Sequence, residues 1–315
     1  MLDSPFREAG ASPVRPDEHI EDLLGEAQGF GSLLFDSEGR AIVEDGATWL
    51  YTTLYEDGRW TSWVRRFHLE TRTASPARQV LGPEGEEDRA VLHHVMVARE
   101  GLIVGFYSNG RGLRAATAAS PEEPFTPVRS FALDPVQGWE TRGGVTDGWS
   151  LEANGAYLAC TKSETELVFW EGYDSYRRSG RLGDLGWAQL SLNLGDGTLS
   201  LIERHPANPL PFRPEGWACA RCGGNLASSL RIRNLYPFFY YLRPDARRIS
   251  LALALSVDPL FQEVQELHLI GRPAGQEVLI EKFQSLGQED KLSLFYESQF
   301  ADGTWHTGLR TYFIR

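Results

Sequence analysis

Two adjacent histidines at the head of an apolar segment are the first candidates for chemistry in this sequence. His93 and His94 open the run HHVMVA, and an imidazole exchanges a proton near neutral pH or binds a metal ion. Successive side chains of a strand point to opposite faces, so the sequence predicts that only one of the pair reaches a functional pocket. Simple packing at a strand edge is an equally open interpretation, and no metal site is predicted.

The three cysteines do not form a recognisable zinc or disulfide pattern. Cys219 and Cys222 make one CxxC in WACARCGGN, and Cys160 stands apart. A second pair, spaced histidines and a βαβ context are missing from the sequence, so we do not predict zinc or redox chemistry. An odd cysteine number fits a reducing compartment, and a cytoplasmic location is expected.

Charge and composition exclude two classes of partner. The formal net charge is −12 with a pI near 5.1, whereas nucleic-acid binding needs a clustered positive surface. No window has the run of about eighteen apolar residues that a membrane helix needs.

NGRG at residues 109–112 lacks the spacing and the following helix of a phosphate loop, so it predicts a hairpin turn. No cofactor is indicated, and we expect a small-molecule partner with neither nucleic acid nor membrane.

The elements that must position these residues are strands in a repeating pattern. Five times, an apolar strand with an aromatic ending is followed by a second strand, as in LIVGFYS and LRAATAAS on either side of NGRG. The other aromatic strands are TWLYTTLY, AYLACTKS with ELVFWEGY, YPFFYYL and KLSLFYES. A further short strand is predicted before each copy, namely RAIVE, HHVMVA, WSLEA, NLASSLRI and EVLIEKF.

Units of about 40 to 50 residues, each with three or four antiparallel strands, are typical of a β-propeller. The sequence therefore predicts an all-β, five-bladed β-propeller as a single domain over residues 29–315. A pair of β-sandwiches or a jelly roll is the alternative. Residues 1–28 are predicted to be a lead-in segment that packs across the domain and includes a short helix, DEHIEDLLGEA.

The segment GLIVGFYSNGRGLRAATAASPEEPF resembles the blade hairpin of the five-bladed glycoside hydrolases of family 43 and of the related families 32, 68, 117 and 130. In those families a strand ending in Tyr-Ser also precedes a Gly turn and a strand ending in an Ala-Thr-like pair. YLACTKS, the ANPLPF tail and SPVRP are similar to further blade segments. The resemblance implies an axial substrate pocket lined at the beginnings of the inner strands, with carboxylates supplying the acid chemistry.

The resemblance also implies which residues of this chain line that pocket. Asp147 corresponds to the middle aspartate of family 43 and Asp36, with a longer spacing, to the first; Glu152 and Glu277 are further candidates. The expected general-acid glutamate of the fourth blade has no counterpart, because Arg221 and Asn225 occupy that region. For stacking against the apolar face of a sugar ring we single out three aromatic residues, Trp149, Trp170 and Tyr173.

These residues predict a carbohydrate-active, glycoside hydrolase-like enzyme in which one carboxyl group protonates the leaving oxygen and a second acts as base or nucleophile. Two alternatives stay open. The first is a lyase, cyclase or isomerase that uses His93 or His94 for acid-base chemistry. The second is a propeller that binds carbohydrate without catalysis.

Overall fold

The structure is a computed structural model. It describes residues 6–8, 29–36, 41–98, 101–135, 151–157, 166–172, 184–193, 198–204, 206, 208, 224–226, 236–245, 248–257, 264–271, 279–288, 291–299 and 305–314. Within these ranges the chain forms β-strands and no α-helix. In chain order the strands are β1 (Phe6–Glu8), β2 (Gly29–Phe35), β3 (Val43–Glu44), β4 (Ala47–Glu56), β5 (Arg59–His68), β6 (Thr73–Ala74), β7 (Arg78–Leu81), β8 (Val91–Val97), β9 (Ile103–Ser108), β10 (Leu113–Ala118), β11 (Thr126–Leu133), β12 (Leu151–Tyr157), β13 (Glu166–Gly172), β14 (Asp184–Asn193), β15 (Thr198–Arg204), β16 (Gly224–Leu226), β17 (Tyr236–Asp245), β18 (Arg248–Ser256), β19 (Val264–Gly271), β20 (Leu279–Gln288), β21 (Lys291–Gln299) and β22 (Trp305–Ile314).

The strands form five antiparallel blades, as the repeat predicted. The first blade runs β2-β4-β5 with β7 outermost, and the second runs β8-β9-β10-β11. The third and fourth follow the same order with β12 to β15 and β16 to β19, and the fifth runs β20-β21-β22-β1. Sequential strands that pair as neighbours, repeated five times, define a five-bladed β-propeller. The sandwich and jelly-roll alternatives are therefore wrong.

The lead-in segment contributes a strand to the last blade. Strand β1 pairs antiparallel with β22, so that Phe6 lies opposite Ile314. This pairing completes the fifth blade with a strand from the other end of the sequence. The predicted helix DEHIEDLLGEA lies outside the described residues, and the domain boundary at residue 29 stays a prediction.

The short strand predicted before the first aromatic strand is present but is not the inner strand of its blade. RAIVE forms only the two-residue strand β3, which pairs with the start of β4, and GFGSLLF takes the inner position as β2. Its glycines hide the strand pattern. A Cβ on Gly31 would lie 2.9 Å from the Leu92 carbonyl oxygen and 3.0 Å from that of Tyr51, so close packing of the first two blades requires glycine there.

The third aromatic strand also differs from the prediction. Ala156 and Tyr157, which begin AYLACTKS, belong to the inner strand β12, and ELVFWEG alone forms the second strand of that blade. The other four aromatic strands are confirmed as the second strands of their blades, at β4, β9, β17 and β21.

Apolar side chains join neighbouring blades. Between the first and second blades, Tyr51 and Val64 pack with Leu92 and Phe125, all of them buried. A second cluster extends from the second blade to the third and contains the edge-on pair Phe106 and Phe131, whose ring centroids are 5.7 Å apart. This packing fixes the inner strands β2 and β8 side by side, with a short parallel pairing at their ends.

Candidate functional site

One end of the first two blades gathers three loops, and we call it the entry end because the inner strand β8 begins there. It consists of the β4–β5 turn at residues 57–58, the connecting segment 82–90 and the β9–β10 loop at residues 109–112. The Trp60 amide donates to the Asp88 carbonyl oxygen at 2.8 Å, and the Ala90 amide donates to that of Trp60 at 2.9 Å. The segment before β8 is thereby held against the first blade.

The two histidines of β8 do not follow the predicted alternation. The register of β8 against β9 shifts between Leu92 and His94, so His93 is the extra residue of a β-bulge. His93 Nε2 lies 2.6 Å from Ser108 Oγ, and Ser108 shares a face of β9 with Phe106, which lies opposite His94. Both imidazoles therefore lie on the same face, because a bulge re-aims one side chain.

Both histidines are buried in the described structure. The exposed fraction is 1% for His93 and 3% for His94. His94 stacks on Phe35 of the first blade with ring centroids 4.7 Å apart and planes inclined by 10°. The imidazole of His93 and the hydroxyl of Ser108 share one hydrogen bond, and the tautomer of His93 decides which of them donates. Both imidazoles are thus held in place and shielded from bulk water.

Serine hydroxyls of the first blade form hydrogen bonds with the backbone of β8 and of the residue before it. Ser62 Oγ donates to the Ala90 carbonyl oxygen at 2.7 Å and accepts from the Leu92 amide at 2.9 Å. Ser32 Oγ accepts from the Val95 amide at 3.0 Å. A buried backbone amide without a partner is costly, so these two hydroxyls let the inner strand lie next to the first blade while its histidines keep their positions.

In segment 82–90 the carboxylate of Asp88 is paired with the neighbouring Arg89. Arg89 donates to both oxygens of Asp88, at 2.9 and 2.7 Å, and this hydrogen bonding holds the pKa of Asp88 below its usual value against a smaller opposing effect of burial. Asn109 Nδ2 donates to Glu87 Oε1 at 2.6 Å, while Asn109 Oδ1 accepts the Arg111 amide at 3.0 Å. The predicted hairpin turn at NGRG is confirmed, with Gly110 at φ 92°.

Asp36 lies at the other end of its inner strand from the entry end. It directly follows β2, and Phe35 pairs with Met96 near the end of β8. The resemblance implied a carboxylate at the beginning of an inner strand, which would require RAIVE to be that strand. With GFGSLLF as β2, Asp36 follows the inner strand instead of preceding it.

Three other predicted residues lie on strands, close to the beginnings of the inner strands. Glu152 is the second residue of β12 and pairs with Glu171, while Trp170 of β13 pairs with Ala153. Asn225 is the second residue of β16. Five others lie outside the described residues, as do Cys219 and Cys222: Asp147, Trp149, Tyr173, Arg221 and Glu277.

No helix in the described part of the chain is long and apolar enough to cross a membrane. Among the same residues no three His, Cys, Asp or Glu side chains come together as a metal site.

Ser108 was missed by the sequence analysis, although it contacts a predicted site residue. The only signal in the sequence is its position as the last residue of the aromatic strand LIVGFYS. Its contact with His93 depends on the bulge, which no local pattern shows.

No protein-family model and no curated protein matches this chain. Solved structures do. The catalytic domain of a family-62 α-L-arabinofuranosidase from Coprinopsis cinerea aligns with a TM-score of 0.58 and 14% identity, over 99% of this chain and 98% of its own. A variant of B. subtilis levansucrase aligns with a TM-score of 0.59 and 9% identity, over 97% of this chain and 88% of its own.

A further Bacillus subtilis levansucrase variant, solved in complex with oligosaccharides, aligns with a TM-score of 0.58 and 8% identity, over 97% of this chain and 88% of its own. At these identities the similarity shows the fold. The chain thus has the five-bladed β-propeller fold of glycoside hydrolases and related glycosyl-transferring enzymes.

Proposed function

We propose that this protein is a carbohydrate-active enzyme with glycoside hydrolase-like chemistry in an axial pocket at the entry end. The observation that carries the proposal is the fold: a five-bladed propeller whose solved neighbours include an arabinofuranosidase and a levansucrase with bound oligosaccharides. Asp147 and Glu152 are the proposed carboxylates, with Glu277 from the fifth blade. A pair of carboxyl groups, one protonated and one ionised, cleaves a glycosidic bond.

The test is substitution of the carboxyl group that matches the resemblance best. Asp147→Asn should abolish release of 4-nitrophenol from 4-nitrophenyl α-L-arabinofuranoside, or of glucose from sucrose, whichever the wild type hydrolyses. The matched control is Asp45→Asn, because Asp45 is exposed and its φ of 51° suits asparagine. Unchanged turnover by Asp147→Asn would remove Asp147 from the mechanism, and absence of product from both substrates with the wild type would contradict the proposal for these two substrate types.

A second candidate function is supported by the buried histidine pair. On this proposal the enzyme is a lyase, cyclase or isomerase in which His93 is the acid-base group, in line with the tendency of β-bulges to occur beside active sites. His93→Gln should then remove one limb of the pH–rate profile, because the acid-base group is gone. Equal rates for His93→Gln and the wild type at every pH tested would refute it.

A carbohydrate-binding protein without catalysis is the third candidate, and it rests on the abundance of Trp and Tyr in the sequence. It predicts that a sugar raises the melting temperature while mass spectrometry finds the sugar unchanged. Formation of any product would exclude it.

The cytoplasmic location remains a proposal from the cysteine content.

A further inference from the structure

An exposed aromatic pair lies at the tip of the first blade. Tyr55 and Trp60 lie directly opposite each other in β4 and β5, and their ring centroids are 4.9 Å apart with planes inclined by 42°. Tyr55 is 45% exposed, so the pair does not serve only to fill the protein interior. The two rings together present a tilted apolar surface to solvent.

The pair continues the face of the first blade that packs against the second. Tyr51 and Val64, which lie on that face, are buried between the blades, and strand alternation places Tyr55 and Trp60 on the same side. The backbone of Trp60 bonds to Asp88 and Ala90 of the connecting segment. The aromatic surface therefore lies where the apolar interface between the blades ends, at the entry end.

The segment beside the rings is fixed and negatively charged. Arg59 donates to the Gly85 carbonyl oxygen at 3.3 Å, which ties the segment to the same hairpin. Asp88 keeps 55% of its side chain exposed although Arg89 donates to both of its oxygens. Each carboxylate oxygen has a second lone pair, so Asp88 retains capacity to accept a hydroxyl group. The β4–β5 turn and segment 82–90 carry further carboxyl groups in or directly beside them, namely Glu56, Asp57, Glu84, Glu86 and Glu87.

We propose that Tyr55, Trp60 and Asp88 form a sugar-binding subsite between the first and second blades, for a neutral saccharide. Aromatic rings stack against the C–H face of a sugar ring, and an ionised carboxylate accepts its hydroxyl groups. The surrounding carboxylates repel uronic acids and other anionic sugars. The inference rests on the proposed carbohydrate function, and it adds a binding position on the first two blades.

The experiment is affinity electrophoresis in gels that contain levan, arabinoxylan or polygalacturonate. The wild type should be retarded by levan or arabinoxylan and not by polygalacturonate. Tyr55→Ala should raise the dissociation constant about three- to tenfold, as expected for loss of one aromatic contact, and Tyr55→Phe should stay within about twofold because it keeps the ring. Trp60→Ala should weaken binding in the same way.

Ile202→Ala is the matched control, because Ile202 is also an exposed large apolar residue, at 57%, but lies on β15 of the third blade. Tyr55 is exposed, so we expect Tyr55→Ala to fold, and it can still be measured if Trp60→Ala does not fold. Equal retardation of Tyr55→Ala, Ile202→Ala and the wild type would overturn the subsite. So would stronger retardation by polygalacturonate than by the neutral polymers, or no retardation of the wild type in any of the three gels.

Hydrolysis of short substrates separates this inference from the proposed enzyme activity. The wild type and the control Ile202→Ala should hydrolyse a 4-nitrophenyl monosaccharide at equal rates, whatever the outcome in the gels. If the wild type forms no product but is retarded through Tyr55, the catalytic proposal fails and the subsite stands. If product forms and retardation is independent of Tyr55, the subsite alone fails.

Discussion

Replacing Ser108 by alanine tests the buried hydrogen bond that orders His93. The hydroxyl lies 2.6 Å from His93 Nε2, and the exposed fractions of the two residues are 0% and 1%. Removing one partner of a buried hydrogen bond costs about 1–3 kcal/mol, because the other partner loses a contact that water cannot replace. Alanine also removes only one atom, so that little cavity cost is added.

The assay is urea-induced unfolding of Ser108→Ala at neutral pH, followed by tryptophan fluorescence. We expect the free energy of unfolding to fall by about 1–3 kcal/mol with an unchanged dependence on urea. Thr71→Ala is the control: the Thr71 hydroxyl lies 2.8 Å from that of Thr73, but both are exposed, so its effect should stay within about 0.5 kcal/mol.

A loss no larger for Ser108→Ala than for Thr71→Ala would refute the reasoning, because the His93 contact would then contribute nothing that solvent does not supply. A double-mutant cycle with His93→Gln assigns the energy to the pair. If the two losses simply add, the bond does not couple the residues.

Three further predictions concern the blades that hold the site. Gly31→Ala should lower stability by about 1–3 kcal/mol because its Cβ meets two backbone oxygens, whereas Gly82→Ala, whose Cβ would lie 3.0 Å from the end of a flexible glutamine, should not; equal urea midpoints would contradict this. Burial raises the pKa of Tyr107 to about 12 from 10.0, so the wild type should lose stability as the pH rises from 10 to 12, when the unfolded chain releases that proton first. Tyr107→Phe should show a smaller loss over that range, and parallel pH profiles from urea titrations would argue against it. Deleting residues 1–8 removes the strand that pairs with β22 and should lower the melting temperature; a melting temperature equal to that of the full chain would show that the pairing contributes nothing.

The sequence by itself determined the repeating architecture. Alternation of apolar side chains within strands and glycine-rich turns between them are local properties, and they located the second strands of four blades and the turn at residues 109–112. From five copies of this pattern the propeller follows without knowledge of any contact.

The tertiary structure decided what the individual side chains do. GFGSLLF is the inner strand, where Gly31 lies close to the carbonyl oxygens of Leu92 and Tyr51, and Asp36 therefore follows the inner strand and does not precede it. His93 and His94 share a face because pairing with β9 creates a bulge. Tyr55 is exposed because the apolar interface ends below it. Each depends on which strands are neighbours in space, whereas the sequence pattern describes only neighbours along the chain.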